Sequence, residues 1–224
     1  MIEEILPDTV LAVEAREDST EVVLFAEEEA ALGQAVEKRR REFTTARGCA
    51  HRALAELGLP PLPIPSGPRG EPCWPAGVVG SITHCHAYRA CAVASATEVI
   101  ALGIDAEPHE SLPDGVLAAV ARAEELPLLR RLARSAPGVH WDRLLFSAKE
   151  SVYKAWFPLA RHSLSFEDAT LEIDPFRRRF SARLLVSAPT LTHGPLTTLS
   201  GRWLVRDGLV LTAIALTSPG ISTK

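Results

Sequence analysis

The chain has few of the residues that mark specialised protein classes. Its four cysteines, Cys49, Cys73, Cys85 and Cys91, in 224 residues lack the paired short spacing of a structural zinc site and are too sparse for a disulfide framework. No uncharged apolar run reaches the roughly 18 residues that a membrane helix needs. The opening Met1-Ile2-Glu3-Glu4-Ile5 is acidic and has neither the basic nor the apolar region of a signal peptide. Excess positive charge is missing as well. With 24 Lys and Arg against 28 Asp and Glu, the net charge is −4, which argues against a general nucleic-acid surface but leaves local basic clusters free to serve phosphates or an acidic protein. There is no internal repeat and no low-complexity linker. These absences leave a soluble globular protein, expected in the cytoplasm, with neither nucleic acid nor membrane as partner.

What is present is 46% apolar and 23% charged residues, enough for one large domain or two closely packed lobes. Alternation around Val10–Val13 and Glu21–Phe25 predicts a strand pair. Phe43, Ala46, Ala50, Leu54 and Leu57 recur at helical intervals, so a helix over about 35–57 follows, basic at its start and stopped by Gly58 and Pro60. Pro60 to Gly80 is too rich in proline and glycine for a helix and reads as an ordered loop. Strands are expected from Gly80 to Ala96 and over Val99–Ile104, then helices over Val116–Leu132 and Trp141–Phe157, the second ending at Pro158. The last third returns to strands at Ala169–Ile173 and Phe180–Val186, and to a hairpin of Arg202–Arg206 with Leu209–Ala215 around Asp207-Gly208, a type I′ turn pair. This order gives an α+β class with two similar halves meeting near residue 108.

Gly103-Ile104-Asp105-Ala106-Glu107, read with Phe146-Ser147-Ala148-Lys149-Glu150-Ser151-Val152-Tyr153-Lys154, carries the chemistry. Asp105 and Glu107 stand two apart at the end of an apolar strand, so both project from one face. Glu150 and Lys154 stand four apart in a helical segment and share a face there. If helix and strand end meet, three carboxylates and an ammonium surround one space, and oxygen ligands of that kind suit Mg²⁺ beside phosphates. A solvated strand end and an ordinary surface ion pair are the competing accounts. Each acid follows an apolar segment that should hold it near the core, which favours the site. His84-Cys85-His86 invites a zinc reading, but no second pair of soft ligands follows. His84 alone reads better as a satisfied core histidine.

These residues closely resemble the paired signature of the 4′-phosphopantetheinyl transferases of the surfactin-synthetase-activating type. Gly70-Glu71-Pro72-Cys73-Trp74-Pro75, Gly80-Ser81-Ile82-Thr83-His84, Trp141-Asp142-Arg143-Leu144-Leu145-Phe146 and Gly201-Arg202-Trp203 resemble the actinobacterial members, so the likeness spans nearly the whole chain. It implies two similar α/β lobes related by a pseudo-two-fold axis, 1–108 and 109–224, with the active site and coenzyme A cleft between them. It implies transfer of the phosphopantetheine arm from coenzyme A to a serine of an apo acyl or peptidyl carrier protein, releasing adenosine 3′,5′-bisphosphate. A monomer is expected.

By the same resemblance Asp105, Glu107 and Glu150 ligate Mg²⁺ or, in its place, Mn²⁺. Glu150, directly or through a metal-bound water, receives the serine proton, and Lys154 neutralises phosphate charge. His84 meets a coenzyme A phosphate with Ser81 and Thr83 nearby. Lys149 could touch the phosphates from the next position, although adjacent helical residues diverge by about 100°. Arg39 and Arg47 match the family's binders of the 3′-phosphate. Helical geometry puts those two about 80° apart and Arg40 nearer the Arg47 stripe, so Arg40 remains the alternative. A planar guanidinium fork suits phosphate. Where many relatives carry a lysine before the loop glycine, Ser66 stands here, and Arg69 is the nearest substitute. The rivals are a module that binds coenzyme A or a carrier without chemistry, and a Mg²⁺-dependent pyrophosphohydrolase. A degenerate binder should have lost a metal acid or the helix lysine, and a hydrolase should show a denser acidic motif; neither pattern is found.

Overall fold

Two antiparallel sheets form the frame of the computed structural model, which describes residues 1–191 and 194–218. A 3-10 turn at Ile2–Ile5 precedes β1 (Leu11–Ala15), α1 (Ala26–Leu32), α2 (Glu37–Glu56), β2 (Val78–Cys85), β3 (Tyr88–Ser95) and β4 (Val99–Pro108). Then come α3 (Val116–Val120), α4 (Leu126–Ser135), α5 (Trp141–Ala160), β5 (Ala169–Asp174), β6 (Arg179–Leu184), a minor pair β7 (Thr190–Leu191) and β8 (Gly194–Pro195), and the long hairpin β9 (Thr198–Arg206) and β10 (Leu209–Thr217). One sheet runs β1-β3-β2, the other β4-β10-β9-β6-β5. The α+β class is as expected, and the Asp207-Gly208 turn has both φ angles positive, 50° and 75°, as a type I′ turn requires.

β3 is buried on both faces. Cys91 and Val93 meet α2 through Ala50, Ala53 and Leu54, while Tyr88, Ala90, Ala92 and Ala94 join Ile104, Leu204 and Leu211 in a core between the sheets. On the far face of the five-stranded sheet α5 buries Leu144, Leu145, Val152 and Trp156 against Leu171, Phe180, Leu199 and Trp203. A strand with two apolar faces carries a continuous apolar run rather than an alternation, which is why Tyr88–Ala94 is so legible.

The sheets meet through side chains. β4 is an edge strand, and its Ile104 and Ala106 N–H groups donate to the Ser81 and Thr83 hydroxyls of β2, each at 3.0 Å. Buried amides must find partners, and here two hydroxyls replace a backbone ladder.

Three expectations need correction. Residues 21–25 form no strand: β1 pairs with β3, Leu11 opposite Val93 to Ala15 opposite Arg89, and the segment after it crosses α2, where the Ser19 N–H donates to Thr45 Oγ1 at 2.9 Å. The expected helix over 116–132 is two helices. Ala121 is extended, α4 opens with a proline at its start, and the Arg122 N–H donates to Glu125 Oε2 at 2.8 Å. Finally, α5 runs past Pro158 to Ala160 and closes on Arg161 in the left-handed conformation. Helix α1 was not foreseen at all.

Candidate active site

The crossing of α5 over β4 sets the site. At Gly103 a Cβ would run into the Ser151 carbonyl oxygen and the Ala155 backbone nitrogen, so only glycine lets the helix approach this closely. Two residues on, the Asp105 carboxylate lies beside Lys154, whose Nζ donates to Asp105 Oδ1 at 2.7 Å and to the Ile104 carbonyl at 3.0 Å. Arg143, Ser147, Glu150 and Lys154 recur at four-, three- and four-residue steps along α5 and therefore share one stripe. Arg143 uses it to donate to Glu107 Oε2 at 2.8 Å and to the carbonyls of Glu110 and Ser111 at 3.0 and 2.9 Å. Ser147 Oγ meets Thr212 Oγ1 of β10 at 3.0 Å.

The acids feel one another. Burial pushes the Glu150 carboxyl above its ordinary range, and the Asp105 charge adds to this against Lys154. Glu107 is raised by burial and by Asp105 in the same way, with Arg143 opposing. Asp105 Oδ2 is buried and has no hydrogen-bond partner. The three carboxylates do not form a closed ligand set, since among the described residues no group of three or more His, Cys, Asp or Glu side chains is gathered to hold a metal. Instead, Lys154 takes one oxygen of Asp105 and Arg143 takes Glu107. The donor set still suits a hard divalent cation, because the cluster is short of positive charge at a buried oxygen.

A cleft of about 550 Å³ opens beside this cluster and joins Arg39, Arg47, Arg69, Ser81, His84, Glu150 and Lys154 on one surface. α2 supplies the first two. Arg39 Nη1 donates to His84 Nε2 at 2.8 Å; because a guanidinium can only donate, that nitrogen is the acceptor and the ring is neutral. Partial burial in the cleft and then the Arg39 charge pull the His84 pKa down. Arg40 instead pairs with Glu29 at 2.9 Å and Arg41 reaches Asp18 and Glu37, so Arg39, not Arg40, faces the cleft. Arg47 lies 4.5 Å over the Phe43 ring and donates to Ser66 Oγ at 3.2 Å. Arg69 stands 5.6 Å over the Phe157 ring and bonds Ser163, which ties the proline-rich loop to the end of α5. That loop is ordered by a bridge between Ser66 and Pro72.

Two of the expected site residues, Lys149 and Thr83, do not line this cleft. Lys149 points away from the acids into the core between α5 and the five-stranded sheet, where Nζ donates to Glu125 Oε2 at 2.8 Å and to the carbonyls of Val120, Phe166 and Ala169 at 2.9, 2.8 and 3.2 Å. The turn of about 100° between neighbouring helical residues separates it from the Glu150 stripe. Thr83 lies outside the cleft wall; its hydroxyl accepts from Ala106 and faces Asp105 Oδ1 at 3.3 Å. Ser81 lines the wall, but its oxygen accepts the Ile104 N–H.

Sequence reasoning gave no part in the site to Arg143 or the buried Glu28, and took Ser66 only as a departure from the family pattern and Phe43 only as a helix-face residue. Arg143 was detectable, since it stands seven residues before Glu150, two turns along the same face. Glu28 left no signal, because its partners come from three separate segments.

Two antiparallel sheets with a lysine and acid cluster at the end of an arginine-rich cleft define a protein equipped to handle phosphate esters. Comparison with known proteins sharpens this. Residues 27–94 match the model of the 4′-phosphopantetheinyl transferase N-terminal domain and residues 101–200 that of the 4′-phosphopantetheinyl transferase superfamily. The chain is 50% identical over 222 residues to the 4′-phosphopantetheinyl transferase Svp of Streptomyces mobaraensis, covering 98% of this chain and 90% of that protein. It is 48% identical over 224 residues to the 4′-phosphopantetheinyl transferase PptT of Mycobacterium tuberculosis, covering 96% and 98%. Identity is 32% over 187 residues to enterobactin synthase component D of Salmonella typhimurium, covering 82% and 75%. The chain belongs to the 4′-phosphopantetheinyl transferase superfamily.

Proposed function

We propose that the chain transfers the 4′-phosphopantetheine arm of coenzyme A to a serine of an apo acyl or peptidyl carrier protein. The observation that carries the reading is the single cleft in which Arg39, Arg47, Arg69 and His84 share a wall with Glu150 and Lys154. Arg39 and Arg47 hold the 3′-phosphate, Arg69 the nucleotide end, and the His84 ring a neighbouring phosphate, with Ser81 in the wall behind it. Asp105, Glu107 and Glu150 would hold one Mg²⁺, or Mn²⁺ in its place, which would supply positive charge against the diphosphate oxygens; the unpartnered Asp105 Oδ2 supports that assignment.

The serine Oγ attacks the phosphorus that bears the pantetheine arm. An O–P bond forms there as the bond from that phosphorus to the bridging oxygen breaks, and the electron pair leaves with adenosine 3′,5′-bisphosphate. The serine proton passes to the Glu150 carboxylate, which lines the cleft beside Lys154. Lys154, fixed by Asp105 and the Ile104 carbonyl, offers its ammonium to the charge that gathers on the phosphate. Lobes 1–108 and 109–224 about a pseudo-two-fold axis, a monomeric state and a cytoplasmic location belong to the same proposal. β4, although before residue 109, pairs with β10 of the second sheet. None of the described helices is long and apolar enough to cross a membrane.

The test is to incubate the protein with coenzyme A, Mg²⁺ and a panel of apo carrier proteins and weigh the carriers. A mass gain of one phosphopantetheine on at least one carrier is expected. Binding of coenzyme A with no gain on any carrier would favour the non-catalytic module and overturn the proposal.

A further inference from the structure

Glu28 is a carboxylate with 0% exposure, where acids are rarely found without a specific set of partners. Its Oε1 accepts the Ile64 N–H at 3.0 Å and lies 2.8 Å from His51 Nε2, while Oε2 accepts the Phe25 N–H at 3.0 Å. This one side chain ties α1 to α2 and to the proline-rich loop. Beyond it stands Arg47, with Nε 4.0 Å from Glu28 Oε1.

Arg47 is held on two sides, and its buried Nε, which has no hydrogen-bond partner, faces Glu28 across the 4.0 Å ion pair. Its side chain is only 5% exposed, the Phe43 ring lies under the guanidinium, and Ser66 Oγ takes a hydrogen bond from Nη2. Burial pulls its pKa down and the Glu28 charge resists that. A buried guanidinium without a counter-charge is costly, so Glu28 offsets much of the penalty of keeping a cation here. Arg47 lines the cleft and Glu28 does not; the carboxylate stands behind the cation, away from any ligand.

We propose that Glu28, assisted by Ser66, is a positioning residue that holds Arg47 aimed into the cleft, so that its grip on the 3′-phosphate of coenzyme A is set before the ligand arrives. A cation fixed in advance loses little rotamer freedom on binding. The inference rests on the reading of this cleft as the coenzyme A site, and it goes beyond that reading by giving a role to a residue that touches no substrate.

The experiment measures KM and kcat of Glu28→Gln, Ser66→Ala and Arg47→Ala, and of each of the first two combined with the third, using coenzyme A and its analogue lacking the 3′-phosphate. Glu28→Gln should raise KM for coenzyme A about tenfold, leave kcat within about twofold, and spare the analogue. Added to Arg47→Ala it should do nothing more, because the residue through which it acts is gone. A loss shared equally by both substrates, or additivity with Arg47→Ala, would mean a merely structural role and overturn the inference. Should Glu28→Gln fail to fold by circular dichroism, Ser66→Ala, at a half-buried loop position, carries the same test with a smaller shift of the same selectivity. If Arg47→Ala is selective for the 3′-phosphate while Glu28→Gln and Ser66→Ala are silent, the inference fails alone. If Arg47→Ala is itself indifferent to the 3′-phosphate, the assignment of this end of the cleft fails and the role of Glu28 falls with it.

Discussion

The Lys154 ammonium is clamped between two acceptors of one strand, Asp105 Oδ1 at 2.7 Å and the Ile104 carbonyl at 3.0 Å. Both distances belong to a charge-assisted contact that fixes a cation in place. Lys154→Met keeps the length of the side chain and removes its charge. It should lower kcat by on the order of a hundredfold. Stability should also fall by about 1–3 kcal/mol, because Asp105 then keeps a buried carboxylate with only the Thr83 hydroxyl beside it. Carrier-loading kinetics and urea unfolding check the two effects separately; full transfer by Lys154→Met would remove the lysine from the chemistry.

For Lys149 the expectation is the reverse. Its ammonium and the Glu125 carboxylate, with side chains 2% and 1% exposed, form a buried pair, and breaking such a pair costs about 3–5 kcal/mol. Lys149→Met should therefore lower the urea midpoint strongly and leave KM for coenzyme A unchanged wherever the variant is folded. A raised KM with unaltered stability would return Lys149 to the substrate.

Gly103→Ala should cost about 1–3 kcal/mol through overpacking, and it should harm transfer more than folding. The added methyl would push α5 off β4 at Ser151 and Ala155, and with it Glu150 and Lys154 away from Asp105. Thermal unfolding beside carrier loading checks the order of the two losses.

Acid stability should depend on Glu14. Burial pushes its carboxyl up, but the Tyr88 hydroxyl, the Ile2 N–H and the Met1 amino group outweigh it and hold the pKa below the ordinary glutamate value. A group whose pKa is lowered by folding stabilises the protein in full above its unfolded pKa, and the contribution is lost as pH falls through the folded one. Glu14→Gln should unfold more readily at neutral pH and lose less stability than the parent chain on acidification through the carboxylate range. Parallel curves for the two proteins would exclude the effect.

Much of this was written in local sequence. The apolar run Tyr88–Ala94, the Asp207-Gly208 turn and the helix over Phe43–Leu57 are periodic or punctuated segments whose form is decided nearby, and the acid pair of Asp105 and Glu107 announced itself by spacing. Pro127, in the first turn of α4, is a start signal that separates α3 from α4 and could have been read as such. What stayed hidden depends on distant partners. Residues 21–25 alternate as a strand does but follow a segment packed across α2 instead of pairing with the open edge of β1, α1 is capped by its own Glu28 through the Phe25 N–H, and Lys149 finds its acceptors on four other segments. The choice between Arg39 and Arg40 likewise turned on Glu29 of the unforeseen α1, which draws Arg40 aside.

The hydroxyl seam between β2 and β4 does more than join two sheets. The outer rim of a sheet invites strands from other molecules, and Ser81 and Thr83 seal that rim at Ile104 and Ala106 with two oxygen atoms. The strand that bears the acids is thereby withheld from intermolecular polymerisation without being locked into a single continuous sheet.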